Sequence, residues 1–572
     1  MSRFSRSLCV LLMVTATSSY ADMKLSIKGL SGELAENVDA RISLITPDKI
    51  NNSSSFKRYF ESEAQKALRA LGYYSPTFSY DESDPKILVV KVSLGEPVRI
   101  KQLNININGE GKQDKDFQEL LAKQLPKIGE ILNHGTYEAF KKGLESLSLK
   151  KGYFDAEMPT HQLAVSQYDH QAFWNIDFNT GKRYKFSKVK FPDAKIRQDY
   201  LANIVPFKEG DEYSAEQLSL LNRRLSSTNW FNSVVVTPDF PNLTADKALP
   251  IDVVTTPRKK NAMDLGLGFS TDNGVHGKIG WNKPWINSRG HSFQSNLSLS
   301  SPEQIITMSY KIPLKKSPIE QYYTIQGGYK KIDNNDTYSR SYTLGALRNW
   351  DNFDGWQTAL GFNMLHDDFT QGDASFKTFL YYPSLSISRI RNDGNLLSMW
   401  GDSQRYSVEG AAESLGSDIN LVRFQAQQTW IRSIKQSHRF IARGNFGIIQ
   451  ASNFDRVPPS FRFFAGGDRS IRGYSYQSIS PKDKKGKLKG ASKMITGSAE
   501  YQYNLTGSWW GAAFVDTGEA IDKVDTAKFY TGTGLGIRWA SPVGPIKFDL
   551  ATPLNKKDKG SIHLYIGLGS EL

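Results

Sequence analysis

From Lys259 onward the sequence alternates apolar and polar residues. In Met263-Asp264-Leu265-Gly266-Leu267-Gly268-Phe269 every other position is apolar, and the same period of two runs through 422–427 and 546–550. That period sends successive side chains to opposite faces of half-buried strands. Sixteen strand centres can be counted, near Leu267, Ile279, Leu297, Met308, Ile325, Leu344, Leu360, Leu385, Met399, Phe424, Ala442, Tyr501, Ala513, Leu535, Phe548 and Ile566. The polar positions hold Arg, Gln, Asp, Ser and Gly, while Trp281, Trp285, Trp350, Trp356, Trp509 and Trp510 gather near strand ends. An even strand count and an aromatic girdle predict an antiparallel barrel spanning a membrane, apolar toward lipid and polar toward its lumen.

The first part of the chain has a different rhythm. Ala67-Leu68-Arg69-Ala70-Leu71-Gly72-Tyr73-Tyr74 is echoed by Leu147-Ser148-Leu149-Lys150-Lys151-Gly152-Tyr153-Phe154, and more weakly by Arg224-Leu225-Ser226-Ser227-Thr228-Asn229-Trp230-Phe231. Gly72, Gly152 and Asn229 are equivalent helix-end turns, where the left-handed backbone favours Gly and tolerates Asn. An amphipathic helix precedes each turn and an alternating strand comes after it. Further short strands are predicted at Ile100–Ile107 and Tyr184–Phe191. The unit reads β-α-α-β-β three times, over 22–96, 97–181 and 182–257. Small α/β modules with open sheet edges take up extended chains by strand addition; three soluble modules without a recognition role are the alternative.

Arg3 and Arg6, the apolar stretch Leu8–Val14 and Ser19-Tyr20-Ala21 predict an export signal over 1–21, cut after Ala21. The single cysteine, Cys9, lies inside it, so the expected mature chain has no thiol chemistry. The formal charge of +14 comes without a dense basic run or nucleic-acid motif, so no nucleic-acid partner is expected. A mean hydropathy of −0.46 excludes a bundle of membrane helices but not a barrel. The eight histidines show no metal-ligand spacing, and no phosphate-binding Gly-Lys-Ser/Thr loop occurs. Gly532, Gly534 and Gly536 lie within an alternating strand and read as small lumen-facing residues. Neither an enzyme nor a cofactor or metal is expected.

One connection is long, over 451–492, and holds Ile471-Arg472-Gly473-Tyr474 and then the basic run Lys482–Lys489. Loops of this length are usually functional; the basic run reads as a solvated exterior tip. The tetrad Ile471-Arg472-Gly473-Tyr474, the motif Phe514-Val515-Asp516-Thr517-Gly518 two strands later and the three preceding repeats resemble the outer-membrane assembly superfamily, in which periplasmic POTRA domains precede a 16-strand barrel. Repeat count and the terminal Ile566-Gly567-Leu568-Gly569-Ser570-Glu571-Leu572 resemble the TamA branch, since BamA members normally carry five repeats and two-partner secretion transporters two.

The resemblance implies α+β POTRA repeats followed by an all-β outer-membrane barrel over 258–572, with the repeats in the periplasm. It implies an assembly factor for unfolded outer-membrane and autotransporter clients, partnered by a TamB-like inner-membrane-anchored protein and in contact with outer-membrane lipid. Phospholipid transport with the same partner, a two-partner-secretion-type pore and a passive channel are the alternatives. Arg472, on a loop inside a wide lumen, needs an anionic partner. Asp516 and Glu500 point inward if Val515 and Tyr501 face lipid, and a guanidinium can bond carboxylates from two strands. Lateral opening is implied between the first and last strands, at Leu265, Leu267, Ile566, Gly567 and Leu568, with Leu267 expected to face Ile566. Gly266, Gly268, Gly567 and Gly569 weaken strand order there.

Overall fold

A computed structural model describes residues 23–568, apart from 44, 47, 48, 193, 353, 543 and 556–560. The predicted export signal, with Arg3, Arg6, Cys9 and Ala21, and the terminal Gly569, Ser570, Glu571 and Leu572 lie outside the described residues. The chain divides into two compact units. One takes residues up to 188 with 207–218 and 239–250, the other 189–206, 219–238 and everything from 251 onward.

Three β-α-α-β-β modules come first. They are β1 (Lys24–Lys28), α1 (Glu33–Ile42), α2 (Ser54–Ala70), β2 (Thr77–Asp84) and β3 (Ile87–Ser93); then β4 (Arg99–Asn108), α3 (Lys115–Gln124), α4 (His134–Lys151), β5 (Glu157–Ser166) and β6 (Gln171–Asn179); then β7 (Lys185–Lys190), α5 (Gln198–Leu201), α6 (Ala215–Ser227), β8 (Phe231–Pro238) and β9 (Ala248–Pro257). Each builds a three-stranded sheet with its last strand in the middle, in the orders β1-β3-β2, β4-β6-β5 and β7-β9-β8. The first strand runs parallel to the central one in β1/β3 and β4/β6.

The helices form where pattern and capping agree. In α2, Ser53 accepts the Phe56 N–H at 3.2 Å, satisfying an N-terminal donor. Phe56, Phe60, Ala64 and Ala67 then fall on one buried face at helical spacing. In α4, Asn133 accepts from the Gly135 and Thr136 N–H groups, and Tyr137, Phe140 and Leu144 are buried. The turns that end α2, α4 and α6 are left-handed, with φ of 90° at Gly72, 88° at Gly152 and 60° at Asn229.

These turns are joints. The Val98 N–H donates to the Gly72 carbonyl at 2.8 Å, and the Tyr184 N–H to the Gly152 carbonyl at 2.9 Å. A Cβ on Gly72 would stand 2.5 Å from the Leu132 carbonyl oxygen, and one on Gly152 would stand 2.7 Å from Tyr213 Cβ. At the third turn Trp230 is the acceptor, taking the Arg258 N–H at 2.9 Å. Its indole N–H donates to Gly290 O at 3.0 Å in the turn after the second barrel strand. Asn229 is exposed, and Asn is a residue that tolerates this left-handed backbone.

Among the described residues no helix is long and apolar enough to cross a membrane. The remaining strands form one 16-stranded antiparallel sheet in sequence order. They are β10 (Ala262–Ser270), β11 (Gly274–Lys283), β12 (Ser292–Leu299), β13 (Glu303–Pro313), β14 (Gln321–Asn334), β15 (Thr337–Asp351), β16 (Trp356–Gln371) and β17 (Ala374–Asn392) in the first half. The second half holds β18 (Gly401–Ala411), β19 (Leu421–Ile434), β20 (His438–Ala451), β21 (Lys493–Thr506), β22 (Trp509–Ile521), β23 (Tyr530–Ser541), β24 (Gly544–Pro553) and β25 (His563–Leu568). Fifteen of the sixteen sequence-predicted centres fall inside their strands. The exception is Met399: its N–H donates to the Asp393 carboxylate at 2.8 Å in a turn, so β18 starts only at Gly401. Outward positions are apolar and exposed, as at Leu344, Leu360, Leu535 and Leu550, the lipid-facing pattern of a membrane barrel. Trp510 departs from the expected girdle: it occupies the inward parity of β22 with Ala512 and Phe514 and is buried.

Residues 452–492 are not an unstructured loop. They carry isolated bridges Phe463↔Ala491, Ala465↔Ile479 and Lys482↔Leu488. Val457, Phe461, Phe463, Ile471 and Ile479 pack with the wall residues Leu380, Tyr382, Leu421 and Ile449 into a core inside the barrel. The basic run is largely exposed, as expected, and is also tied to neighbouring turns. Lys485 and Lys487 pair with Asp373 at 2.7 and 2.5 Å, and the Leu488 N–H donates to Asp336 at 2.8 Å.

Candidate functional site

Arg472 is carried on this inward segment and is only 1% exposed. Strand parity turns Glu500 of β21, Asp516 of β22, Arg538 of β23 and Asp549 of β24 into the lumen, because Tyr501, Val515, Ile537 and Phe548 take the outward face. Arg472 grips Asp516 with two prongs, Nε to Oδ2 at 2.7 Å and Nη2 to Oδ1 at 2.9 Å, and its backbone N–H adds a third bond at 3.0 Å. Nη1 reaches Glu500 at 2.8 Å and Asp549 at 3.1 Å. The guanidinium lies over the Phe514 ring, 3.3 Å from its centroid.

Arg538 completes the lattice. It donates to Glu500 Oε1 at 2.6 Å and Asp549 Oδ1 at 2.5 Å. Gln502 donates to Glu500 at 2.6 Å and accepts from Arg439 Nη1 at 2.6 Å. Both anticipated carboxylates are therefore in place on Arg472. Asp549, Arg538, Gln502 and Arg439 were not singled out from the sequence, although Asp549 stands at a polar position of the alternating run Ile546–Leu550. Each member is buried and paired on several sides, the condition under which a buried charge is tolerated.

The glycines shape the cradle. A Cβ on Gly532 would overlap the Arg472 carbonyl oxygen, and one on Gly536 would overlap the Asp549 carboxylate. Gly473, at φ 96°, passes so close to the wall that a Cβ would stand 3.0 Å from Thr552 and Pro553 backbone atoms. Its N–H donates to Tyr565 OH at 3.0 Å, and that hydroxyl donates to the Tyr474 carbonyl at 2.8 Å. The Tyr474 hydroxyl donates to Asn555 at 2.7 Å, and Ile471 is fully buried in the lumenal core.

The two ends of the sheet, β10 and β25, meet without a ladder among the described residues. The Thr271 N–H donates to Ile566 O at 3.3 Å and the Ile566 N–H to Thr271 Oγ1 at 2.9 Å. Ile566 therefore stands beside Thr271, four residues beyond Leu267, which it was expected to face; the stagger of a barrel sets this register. Leu265 and Leu267 are 78% and 87% exposed on the outer face, and Leu568 is exposed as well. Gly567 sits on the lumenal parity beside Lys547.

The inward segment holds both sides of this seam. The Asp468 N–H donates to Asp272 Oδ2 at 2.7 Å in the turn after β10, and the Asp468 carboxylate pairs with Lys547 of β24 at 2.6 Å. Burial raises the Asp272 carboxyl to about 6, with the Asp468 N–H and Lys547 opposing and the Asp468 charge reinforcing the rise. Among the described residues no group of three or more His, Asp or Glu side chains is arranged to hold a metal.

Residues 260–572 match the family described as the Omp85 superfamily domain. Residues 24–94 match the POTRA domain TamA domain 1, and residues 184–257 match the POTRA family described as surface antigen variable number repeat. The chain is 23% identical to the outer membrane protein assembly factor BamA of Neisseria meningitidis, over 83% of this chain and 67% of that protein. It is 22% identical to the BamA of Nitratidesulfovibrio vulgaris, over 65% of this chain and 48% of that one. The crystal structure of BamA from Haemophilus ducreyi lacking POTRA domains 1–3 superposes with a TM-score of 0.68 at 17% identity, covering 82% of this chain and 99% of that one, which establishes the same fold.

Proposed function

The chain belongs to the Omp85 superfamily, and from that premise we propose that it passes client strands sideways through the β10–β25 seam into the membrane. It is an outer-membrane assembly or secretion factor like BamA, with its barrel in the outer membrane and its POTRA domains in the periplasm. Within the superfamily we assign it to the TamA type. Three modules, and the match of the first to TamA domain 1, support that assignment. On this reading its periplasmic partner is a TamB-like inner-membrane-anchored protein, and its clients are unfolded outer-membrane and autotransporter proteins. It is assigned no catalytic step.

The observation that carries the lateral route is the seam itself. Every other neighbouring pair of barrel strands is hydrogen-bonded along a register, whereas β10 and β25 are joined only near Thr271 among the described residues. An unpaired strand edge is a template for another strand. A passive channel is disfavoured because residues 452–492 build a core within the lumen.

A photo-crosslinking amino acid at Leu265 or Leu267, compared with Leu360 on the lipid-facing wall, tests the route. A client undergoing assembly should crosslink at the first two positions and not at the third. Equal capture at Leu360 would remove the lateral route, and capture of phospholipid alone at the seam would make lipid the cargo.

A further inference from the structure

The barrel's nine tryptophans all lie toward one end, at the starts of outward-running strands, the ends of returning ones or the turn between β11 and β12. The chain enters β10 directly from the third module, so this is the periplasmic end. Along β15–β19 the outward-facing members are joined by arginines. Arg348 lies over Tyr323 and Trp350, at 4.9 and 5.1 Å from their centroids. Arg389 lies over Trp356 at 4.4 Å, and Arg391 and Arg432 both lie over Trp400, at 5.4 and 5.1 Å.

Few carboxylates answer these charges. Asp402 is shared by Arg391 at 2.8 Å and Arg432 at 3.4 Å, and both arginine side chains remain more than 40% exposed. Asp354 lies in the turn before β16 and interacts with Arg391 electrostatically. Arg389 donates to the neutral Gln404, and Arg348 to the neutral Gln321. Arg348 Nη1 is buried without a hydrogen-bond partner among the described residues. Arg348 and Arg389 thus pair with no carboxylate among the described residues, and all four guanidiniums stand on an aromatic belt. At the opposite rim the outward Arg340 and Lys377 share Asp368, away from the tryptophan belt.

We propose that this arc binds the phosphate headgroups of anionic phospholipid in the periplasmic leaflet. A planar guanidinium offers phosphate two parallel donors. Tryptophan places its ring at headgroup depth and holds the cation above it. Basic clusters at this level select anionic lipid over zwitterionic lipid. The arc is a fixed site on the wall, independent of whether the seam opens.

The test uses the full-length protein in vesicles of phosphatidylethanolamine with a minority of phosphatidylglycerol. Electron paramagnetic resonance of spin-labelled phosphatidylglycerol and phosphatidylcholine reads the preference of the barrel's boundary lipid. The wild type should prefer phosphatidylglycerol, and salt should weaken that preference. R348Q/R389Q removes two arginines that pair with no carboxylate among the described residues and should lower the preference by up to about fivefold per arginine. R340Q/K377Q at the other rim should leave it unchanged. Should the double variant not fold, R389Q alone decides, since its polar partner is the neutral Gln404. Equal association of the two lipids with the wild type, or an unchanged preference in folded R348Q/R389Q or R389Q, overturns the proposal.

Discussion

Replacing Arg472 with Ala removes four charge-assisted bonds from one guanidinium to three carboxylates, while the backbone N–H bond to Asp516 can persist. Glu500, Asp516 and Asp549 remain, and Arg538 still pairs with Glu500 and Asp549. Asp516 loses both side-chain prongs while 1% exposed. Breaking a buried pair from one side typically costs about 3–5 kcal/mol. Water entering the space vacated in the lumen offsets part of this, so roughly 3 kcal/mol is expected, about a hundredfold in the docking equilibrium of the inward segment. Arg472→Lys keeps the charge but neither the two-pronged grip nor the flat stacking on Phe514, so it should fall in between. Three measurements on detergent-solubilised protein read the effect: melting temperature, persistence of the folded band on heating in SDS, and protease cleavage within 452–492. Arg472→Ala should melt earlier and be cut in that segment while keeping its strand content. Asp516→Asn should resemble it, and the double variant should cost less than the two singles added, because both break one contact. Wild-type melting together with an uncut segment in Arg472→Ala would refute the anchoring role.

Gly532→Ala should free the same segment, because its Cβ overlaps the Arg472 carbonyl; overpacking of this kind costs about 1–3 kcal/mol. Gly444→Ala, with nothing within 4 Å, should melt like the wild type, and equal melting of both variants would contradict the close-approach argument. Asp272, raised to about 6, contributes stability that is full below its unfolded value and is lost as pH rises through about 6. Asp272→Asn should therefore melt higher than the wild type at pH near 7.5 and alike near 4, and a uniform loss at both would reverse the sign assigned here. Thr271→Cys with Ile566→Cys should form a disulfide across the seam and block client assembly until reduced. A fully crosslinked barrel that assembles clients normally removes lateral opening from the proposed function.

The barrel was legible because lipid imposes alternation on every strand, and a period of two survives in sequence without knowledge of neighbours. The three modules were legible because each helix ends in a left-handed turn that restricts residue choice. The features that stayed hidden depend on register. Ile566 meets Thr271 rather than Leu267 because the shear of the sheet, not any local pattern, decides which residues stand opposite. Trp510 looked like girdle, yet parity within β22 turns it inward, and only the neighbouring Trp509 and Val515 reveal that. Asp549 and Arg538 were visible as inward polar positions, but their convergence on Glu500 requires four strands to be laid side by side. The run Lys482–Lys489 is solvated as read, but its pairing with Asp373 was not legible, because that carboxylate lies about a hundred residues away in another turn.

The joints between modules have a consequence for how such chains change over generations. Each has its acceptor at the end of one module's helix and its donor at the start of the next domain: Gly72 with Val98, Gly152 with Tyr184, Trp230 with Arg258. A tandem duplication running from one helix end to the next copies both halves of the connection at once. The number of modules can thus drift without a new interface having to arise, and the barrel, presenting Arg258 as the modules present Val98 and Tyr184, is received as one more copy. The third joint records a different neighbour: Gly-Tyr at 72–73 and 152–153 where a module comes next, Asn-Trp at 229–230 where the barrel does.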